Sequence, residues 1–262
     1  MKGTGFFRVM LMVAGISVLC SFNAMAEEEA KPSASADVGV FSKYMWRGFE
    51  LSDESAVIQP SMTVEYKGFS VNLWGNLDTD YDDTGDSEFN ETDYTLAYGT
   101  SIGDYDLSIG YIYYGLDGLE DAEEFYGSIT AAKCPVAPTL TIYREIAAAQ
   151  GWYFNLGISH SFELKDEITL DLGGSVGYYY SDDDAFVEVD NHLNPTSKKY
   201  RNFHDGKVSV GLTIPLDKYF TLSPMIAYSF PLTTNADDLI TSSSMSGDSD
   251  FFFGGVTMSI AF

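Results

Sequence analysis

Cysteine is nearly absent from this 262-residue chain, with only Cys20 and Cys134 present. Cys20 sits in an N-terminal apolar run behind Leu19, where lipid attachment would need a small residue, so no lipid anchor is expected. Cys134 is then unpaired, and the fold cannot depend on an internal disulfide even in an oxidising compartment. Cys134 reads as a small residue in a turn rather than a reactive thiol. Basic residues are also scarce, 14 against 39 acidic ones, for a net charge of −25. Nucleic acid is excluded as a partner by that balance.

Long apolar runs are missing too. The longest, Val9 to Leu19, follows Lys2 and Arg8 and precedes Ala24-Met25-Ala26, the pattern of a cleavable secretory signal over residues 1–26. The mature chain is expected to start at Glu27, with a net charge of about −27 once Lys2 and Arg8 are removed. No later stretch offers roughly 20 apolar residues, so an α-helical membrane protein is excluded. Yet 45% of residues are hydrophobic and 15% aromatic, including 18 Tyr and 18 Phe, which is not the composition of a disordered acidic chain. Such a chain needs an architecture that exposes aromatics.

The pattern that is present has a period of two. In Ser61 to Tyr66 and Phe69 to Asn76, apolar and polar residues alternate on both sides of Lys67-Gly68, which reads as a hairpin in which Tyr66 and Phe69 pair. Met62, Val64, Val71 and Leu73 then share one face, and Glu65, Asn72 and Asn76 the other. The same alternation recurs in about twelve segments, the segment from Thr139 to Glu145 being the weakest. Tight connections after Lys67, Gly103, Glu163 and Pro215 alternate with mostly longer, acidic ones near residues 49–56, 78–90, 115–121, 181–204 and 231–249. A soluble sandwich has no reason to keep its tight turns at one end. A transmembrane barrel has one: short periplasmic turns, long external loops, an apolar outer band and a polar interior. The expected fold is all-β, an antiparallel up-and-down transmembrane barrel over residues 37–262 behind a periplasmic segment at 27–36.

Tyr44, Trp46, Tyr111, Tyr113, Tyr178 and Tyr228 are expected to form one aromatic girdle near the long loops. Tyr66, Phe69, Tyr105, Phe162, Phe220 and Phe262 form the other. The C-terminal Phe262, in phase with Ile260, Met258 and Val256, resembles the strand signal that barrel assembly machinery reads. Lipid and lipopolysaccharide of a Gram-negative outer membrane are the remaining expected partners, with small polar solutes.

The stretch ADVGVFSKYMWRGFELSDESAVIQPSMTVEYKGFSVNLWGN resembles the opening of the TorF family of porins over roughly residues 36 to 77. The matching residues are Tyr44, Trp46, Arg47 and Gly48, then Gln59 and Pro60, then Gly68 and Trp74, and Met45 departs from the aliphatic residue expected before Trp46. The resemblance implies a porin architecture and carries no substrate.

Parity puts Lys43, Arg47, Glu65, Asn72, Trp74, Asn76, Asp93, Asp106, Glu124, Tyr126, Asn155, Asp171 and Lys207 on the inner face, because a charge facing lipid near the midplane costs a few kcal/mol. Acidic residues outnumber basic ones among them, so an aqueous path would favour cations or neutral solutes. The expected function is passive diffusion of small polar solutes; the alternative is a closed structural or adhesive barrel filled by salt-bridged side chains. Arg47 is expected to be held by an inner carboxylate such as Glu65, and Trp74 to be part of the wall. An outer-membrane hydrolase is a lesser alternative, resting on the adjacent pair His204-Asp205, which lacks partner residues in a recognisable motif. No enzyme activity, cofactor or metal is expected. In Asp78, Asp80 and Asp82, position six of a calcium loop would be Asp83 where Gly is needed, and position twelve Phe89 where Glu is needed, so an EF-hand is rejected.

Overall fold

Strands that are apolar on one face can satisfy every backbone N–H and C=O without exposed edges only by closing into a ring. The structure, a computed structural model, describes residues 31–80 and 86–262. The expected leader, its cleavage point, and Asp82 and Asp83 of the acidic stretch lie outside the described residues. In chain order, β1 (Ser33–Phe41) leads into a small hairpin of β2 (Met45–Trp46) and β3 (Phe49–Glu50). Next come β4 (Val57–Tyr66), β5 (Phe69–Asp78), β6 (Glu88–Ile102), β7 (Tyr105–Leu116), β8 (Ala122–Ala131), β9 (Thr139–Glu145), β10 (Gly151–Glu163) and β11 (Thr169–Ser181). A second small hairpin, β12 (Val187–Val189) and β13 (Pro195–Lys199), precedes β14 (Arg201–Pro215) and β15 (Phe220–Pro231). Finally α1 (Thr234–Ser243) leads to β16 (Phe251–Ala261). Twelve of the strands close an antiparallel barrel, sealed where β1 pairs with β16. Its first strand opens at Ser33.

The barrel inverts the soluble pattern. Val64, Val71, Leu96, Ile109, Leu156 and Val208 are exposed on its outer face, while Asn72, Thr95, Ser159, Ser223 and Thr257 are buried inside. Tyr66 pairs with Phe69 across Lys67-Gly68, whose φ values of 50° and 86° are those a two-residue turn compatible with strand twist demands. Two bulges break the regular ladder, one beside Asn76 between β5 and β6, the other opposite Gly177 between β11 and β14.

At the other end, the long connections have structure of their own. The β12–β13 turn is held by Asp190, whose carboxylate accepts from the backbone N–H groups of Asn194 (3.0 Å) and His192 (2.9 Å), contacts that lower its pKa from the ordinary value. The connection from Pro231 to Phe251 contains α1, a helix that the strand pattern did not announce. Its signal was present: Thr233 caps the helix by accepting from the Ala236 N–H at 3.2 Å, and Ala236, Leu239 and Ile240 recur at helical spacing and are buried. Removing the cap by Thr233→Ala should weaken the helix by about 1 kcal/mol. Amide hydrogen exchange across residues 234–243 would then speed up roughly fivefold without change in the barrel strands.

Candidate functional site

After Phe41 the chain turns inward instead of continuing along the wall. The Ser42 N–H donates to the Gly254 carbonyl at 2.9 Å, and the β2–β3 hairpin folds into the barrel with Trp46 opposite Phe49. Arg47 (φ 46°) and Gly48 (φ 86°) form its two-residue tip. A Cβ on Gly48 would lie 2.8 Å from the Asp205 Cβ and 3.3 Å from the Ile240 side chain, so glycine is required both for the backbone conformation and for the fit between β14 and α1.

The tip delivers a guanidinium to the middle of an aromatic cage. Arg47 Nη1 and Nη2 donate to the two carboxylate oxygens of Glu124 on β8, each at 2.7 Å, and the Tyr114 hydroxyl donates to the same carboxylate at 2.8 Å. The rings of Trp46, Tyr143 and Tyr153 lie 4.5, 4.4 and 4.4 Å from the guanidinium carbon. Only 9% of the Arg47 side chain and 2% of that of Glu124 is exposed. A bidentate, hydrogen-bonded pair of this kind compensates the desolvation of both charges, and each cation–π contact adds about 0.5–2 kcal/mol. From above, Glu50 ties the hairpin down: it pairs with Lys43, accepts from Ser246, and its N–H donates to Ser244 Oγ at 3.2 Å. Asp78 accepts from Ser55 and so fastens the end of the same connection to β5.

Beside this cage two carboxylates on the inner face of β6, Glu91 and Asp93, are buried. Asp93 Oδ1 has no hydrogen-bond partner. With Glu124 they make three acidic side chains buried on the inner face. Toward the short turns the inner face changes character. Along β8, Glu124 and Tyr126 give way to Ser128 and Thr130, and along β10 Tyr153 and Asn155 give way to Gly157 and Ser159. The interior is thus filled by large side chains at the long-loop end and lined by small hydroxyls at the other.

The thirteen residues singled out in the sequence divide accordingly. Lys43, Arg47, Trp74, Asp93, Glu124 and Tyr126 gather at the filled end: Trp74 packs on Tyr44 with ring centroids 5.7 Å apart, opposite Asp93 in the β5–β6 register, and Tyr126 packs on Tyr143 at 5.9 Å. Asn76 accepts from Gln59 at 3.0 Å and donates to Asn90 at 2.8 Å. Further along, Asn72 donates to Ser61 and Thr63 at 2.9 and 2.8 Å, Asn155 sits at 3.4 Å from the Tyr153 hydroxyl, and Lys207 lies opposite Ser175 and Ser229. Near the short turns, Asp106 accepts from Ser101 at 2.6 Å, Asp171 accepts from Thr213 at 2.8 Å, and Glu65 faces Ser70.

Several expectations are corrected. Arg47 pairs with Glu124 across the barrel and not with Glu65, because β1 ends at Phe41 and the hairpin carries the guanidinium away from β4. Lys43 and Arg47 therefore reach the interior through an infolded connection rather than by strand parity. Tyr44 and Trp46 are interior residues, not girdle residues, for the same reason. His204 and Asp205 do not form a dyad: His204 Nδ1 is 2.7 Å from the Tyr200 hydroxyl, and Asp205 accepts from Tyr153 at 2.8 Å. Both point inward because the bulge opposes them jointly to Gly177, where a Cβ would lie 2.2 Å from Asp205 Oδ1. Residues that the sequence reading missed are Tyr114, Tyr143, Tyr153, Tyr179 and Glu91. In the runs Tyr113-Tyr114 and Tyr178-Tyr179-Tyr180, neighbours must face opposite ways, so an inner tyrosine was implied by each girdle assignment.

A family model described as "Bacterial protein of unknown function (Gcw_chp)" matches residues 25–223. No curated protein matches. Among solved structures, the NanC porin is similar with a TM-score of 0.52 at 10% identity, over 87% of this chain and 98% of that one. OmpF of Salmonella typhi in complex with daunomycin gives 0.40 at 8% identity, over 89% and 97%. An anion-selective porin from Comamonas acidovorans gives 0.34 at 10%, over 88% and 98%. At these identities the likeness, carried by the first of the three, is one of fold.

Proposed function

The chain belongs to the Gcw_chp family of bacterial proteins of unknown function, and from its barrel we propose a constricted, porin-like channel of the Gram-negative outer membrane, passing small cations and neutral polar solutes in preference to anions. The observation that carries this reading is the excess of inward carboxyl groups at the filled end: the Arg47 guanidinium is taken up by Glu124, and Glu91 and Asp93 add two more buried acidic side chains on the inner face of β6. Fixed charges at a constriction set the local potential, and this set attracts cations. The hydroxyl-lined half would be a periplasmic vestibule, and the infolded hairpin the element that limits solute size. The resemblance of residues 36 to 77 to TorF-family porins falls inside the stretch matched by the family model and supports the same reading. The thirteen residues selected from the sequence are proposed to line the path. Export by the N-terminal leader and insertion through the strand ending at Phe262 complete the proposal. No enzymatic role is proposed, since the hydrogen bonds of His204 and Asp205 lead to tyrosines and not to each other.

Refolded protein in a planar bilayer should show small, discrete conductance steps with a reversal potential on the cation-selective side. The variant E91Q/D93N should shift that potential toward zero at similar conductance. Anion selectivity in the unmodified protein, or an unshifted potential in the variant, would sink the proposal. A silent barrel would favour the second reading, a closed structural or adhesive barrel, for which the near-complete burial of Arg47 and Glu124 speaks.

A further inference from the structure

Basic residues are unevenly placed. Among the described residues, Lys67, Lys133, Lys165 and Lys218 belong to the short turns, Lys31 precedes β1 at the same end, and Lys43, Arg47 and Lys207 are turned into the barrel. The only cations left on the outside of the long-loop end are Arg144, Lys198, Lys199 and Arg201. All four fall in one sector, Arg144 and Arg201 on the wall strands β9 and β14 and Lys198 and Lys199 on the hairpin strand β13 between β11 and β14.

The register orders this sector. Arg144 is opposite Trp152, Trp152 opposite Tyr180, and Tyr180 opposite Arg201, so the four form one row across β9, β10, β11 and β14. Trp152 is exposed, which sets the row on the outer face. The Arg144 guanidinium lies 5.1 Å from the Trp152 ring and that of Arg201 3.9 Å from the Tyr180 ring. One step toward the short turns the outward row is Ile142, Phe154, Tyr178 and Phe203. Between the rows lies a shallow, open apolar depression lined by Ile142, Trp152, Phe154 and Tyr180. Asp182 holds the two guanidiniums together: Arg144 donates to it at 2.7 Å, and Arg201 Nη2 is 4.0 Å from its other oxygen. Arg201 Nε also donates to the Ser181 carbonyl at 3.3 Å. Each guanidinium has five N–H donors, and these contacts occupy one on each. Lys199 adds a third cation, itself 2.9 Å from Asp184.

A shallow apolar strip bordered by two arginines fits an amphiphile with an acyl chain and an anionic head. Planar guanidiniums prefer phosphate, which they bind in forked pairs. We propose that this wall binds one phosphorylated glycolipid of the outer leaflet, an acyl chain against Ile142, Trp152, Phe154 and Tyr180 and a phosphate between Arg144 and Arg201. The proposal rests on the reading that the long loops are external, and it is independent of whether the lumen conducts.

The test is native mass spectrometry of the refolded full chain with diphosphorylated lipid A, its dephosphorylated form, or phosphatidylglycerol. Wild-type protein should retain one lipid A. Retention should fall by about tenfold or more for the dephosphorylated form and for the variant R144Q/R201Q, since each lost charge-assisted bond is worth about that much. The variant K67Q/K218Q, altered at the short turns, should bind as wild type does. Equal retention of the dephosphorylated form, equal loss in both variants, or undiminished binding by R144Q/R201Q would overturn the site. Stronger retention of phosphatidylglycerol would overturn the glycolipid assignment. The lipid comparison on wild-type protein decides the matter even where R144Q/R201Q fails to fold.

Discussion

Arg47→Ala should lower the stability of the barrel by about 3–5 kcal/mol, because it strands Glu124 as an uncompensated buried charge. Glu124 also keeps the Tyr114 hydroxyl bond after the change, so the loss falls mainly on the guanidinium's share: two 2.7 Å hydrogen bonds and the faces of Trp46, Tyr143 and Tyr153. Urea unfolding from lipid vesicles, followed by tryptophan fluorescence, would measure it. Adding Glu124→Gln to Arg47→Ala removes the orphaned charge and should restore part of the stability, the signature of direct coupling between the two positions. Conductance should move the other way. With its tip no longer anchored across the barrel, the hairpin ceases to fill the interior, and single-channel steps should become larger for both variants. Unchanged stability in Arg47→Ala would show that the pair is not held as described.

Gly48→Ala should be nearly as damaging, although it removes no interaction. Gly103→Ala is the control: it has φ 65° and nothing within 4 Å of a new Cβ, so it should cost only the backbone strain, about 1 kcal/mol. Gly48 has φ 86° and, in addition, the Asp205 Cβ at 2.8 Å and His204 Nε2 at 3.4 Å from the new methyl. Overpacking of that kind adds about 1–3 kcal/mol, unless the hairpin withdraws. Withdrawal would be visible directly. Lys43 and Arg47 are trypsin sites that the folded protein buries or half-buries, so limited proteolysis should cut after Arg47 in Gly48→Ala and spare it in wild type and in Gly103→Ala. Equal resistance in all three proteins would mean that β14 yields to the methyl instead.

The wall of this protein was legible because its physical rule is local. A strand in a closed barrel presents every second residue to the outside, so Val64, Val71 and Ile109 on one side and Asn72, Asp93 and Thr95 on the other could be assigned from spacing alone. The Tyr66–Phe69 pairing followed from the two-residue turn, and the alternation of tight and long connections marked the two ends of the barrel. Parity failed where the chain leaves the wall. It carried Tyr44 and Trp46 onward as if β1 continued past Phe41, and spacing alone gave no sign of the bulge that turns His204 and Asp205 inward together.

What the sequence by itself determined is the barrel, its two kinds of connection and the sorting of polar from apolar faces, since each depends only on neighbours a few residues apart. What the tertiary structure alone decided is how the interior is filled. The Arg47–Glu124 pair joins residues 77 positions apart, and Gly48 is forced by residues of β14 and α1 that no local pattern connects to it. A buried charge accepts whichever opposite charge relieves its desolvation, and only the closed ring brings β8 within reach of the first connection.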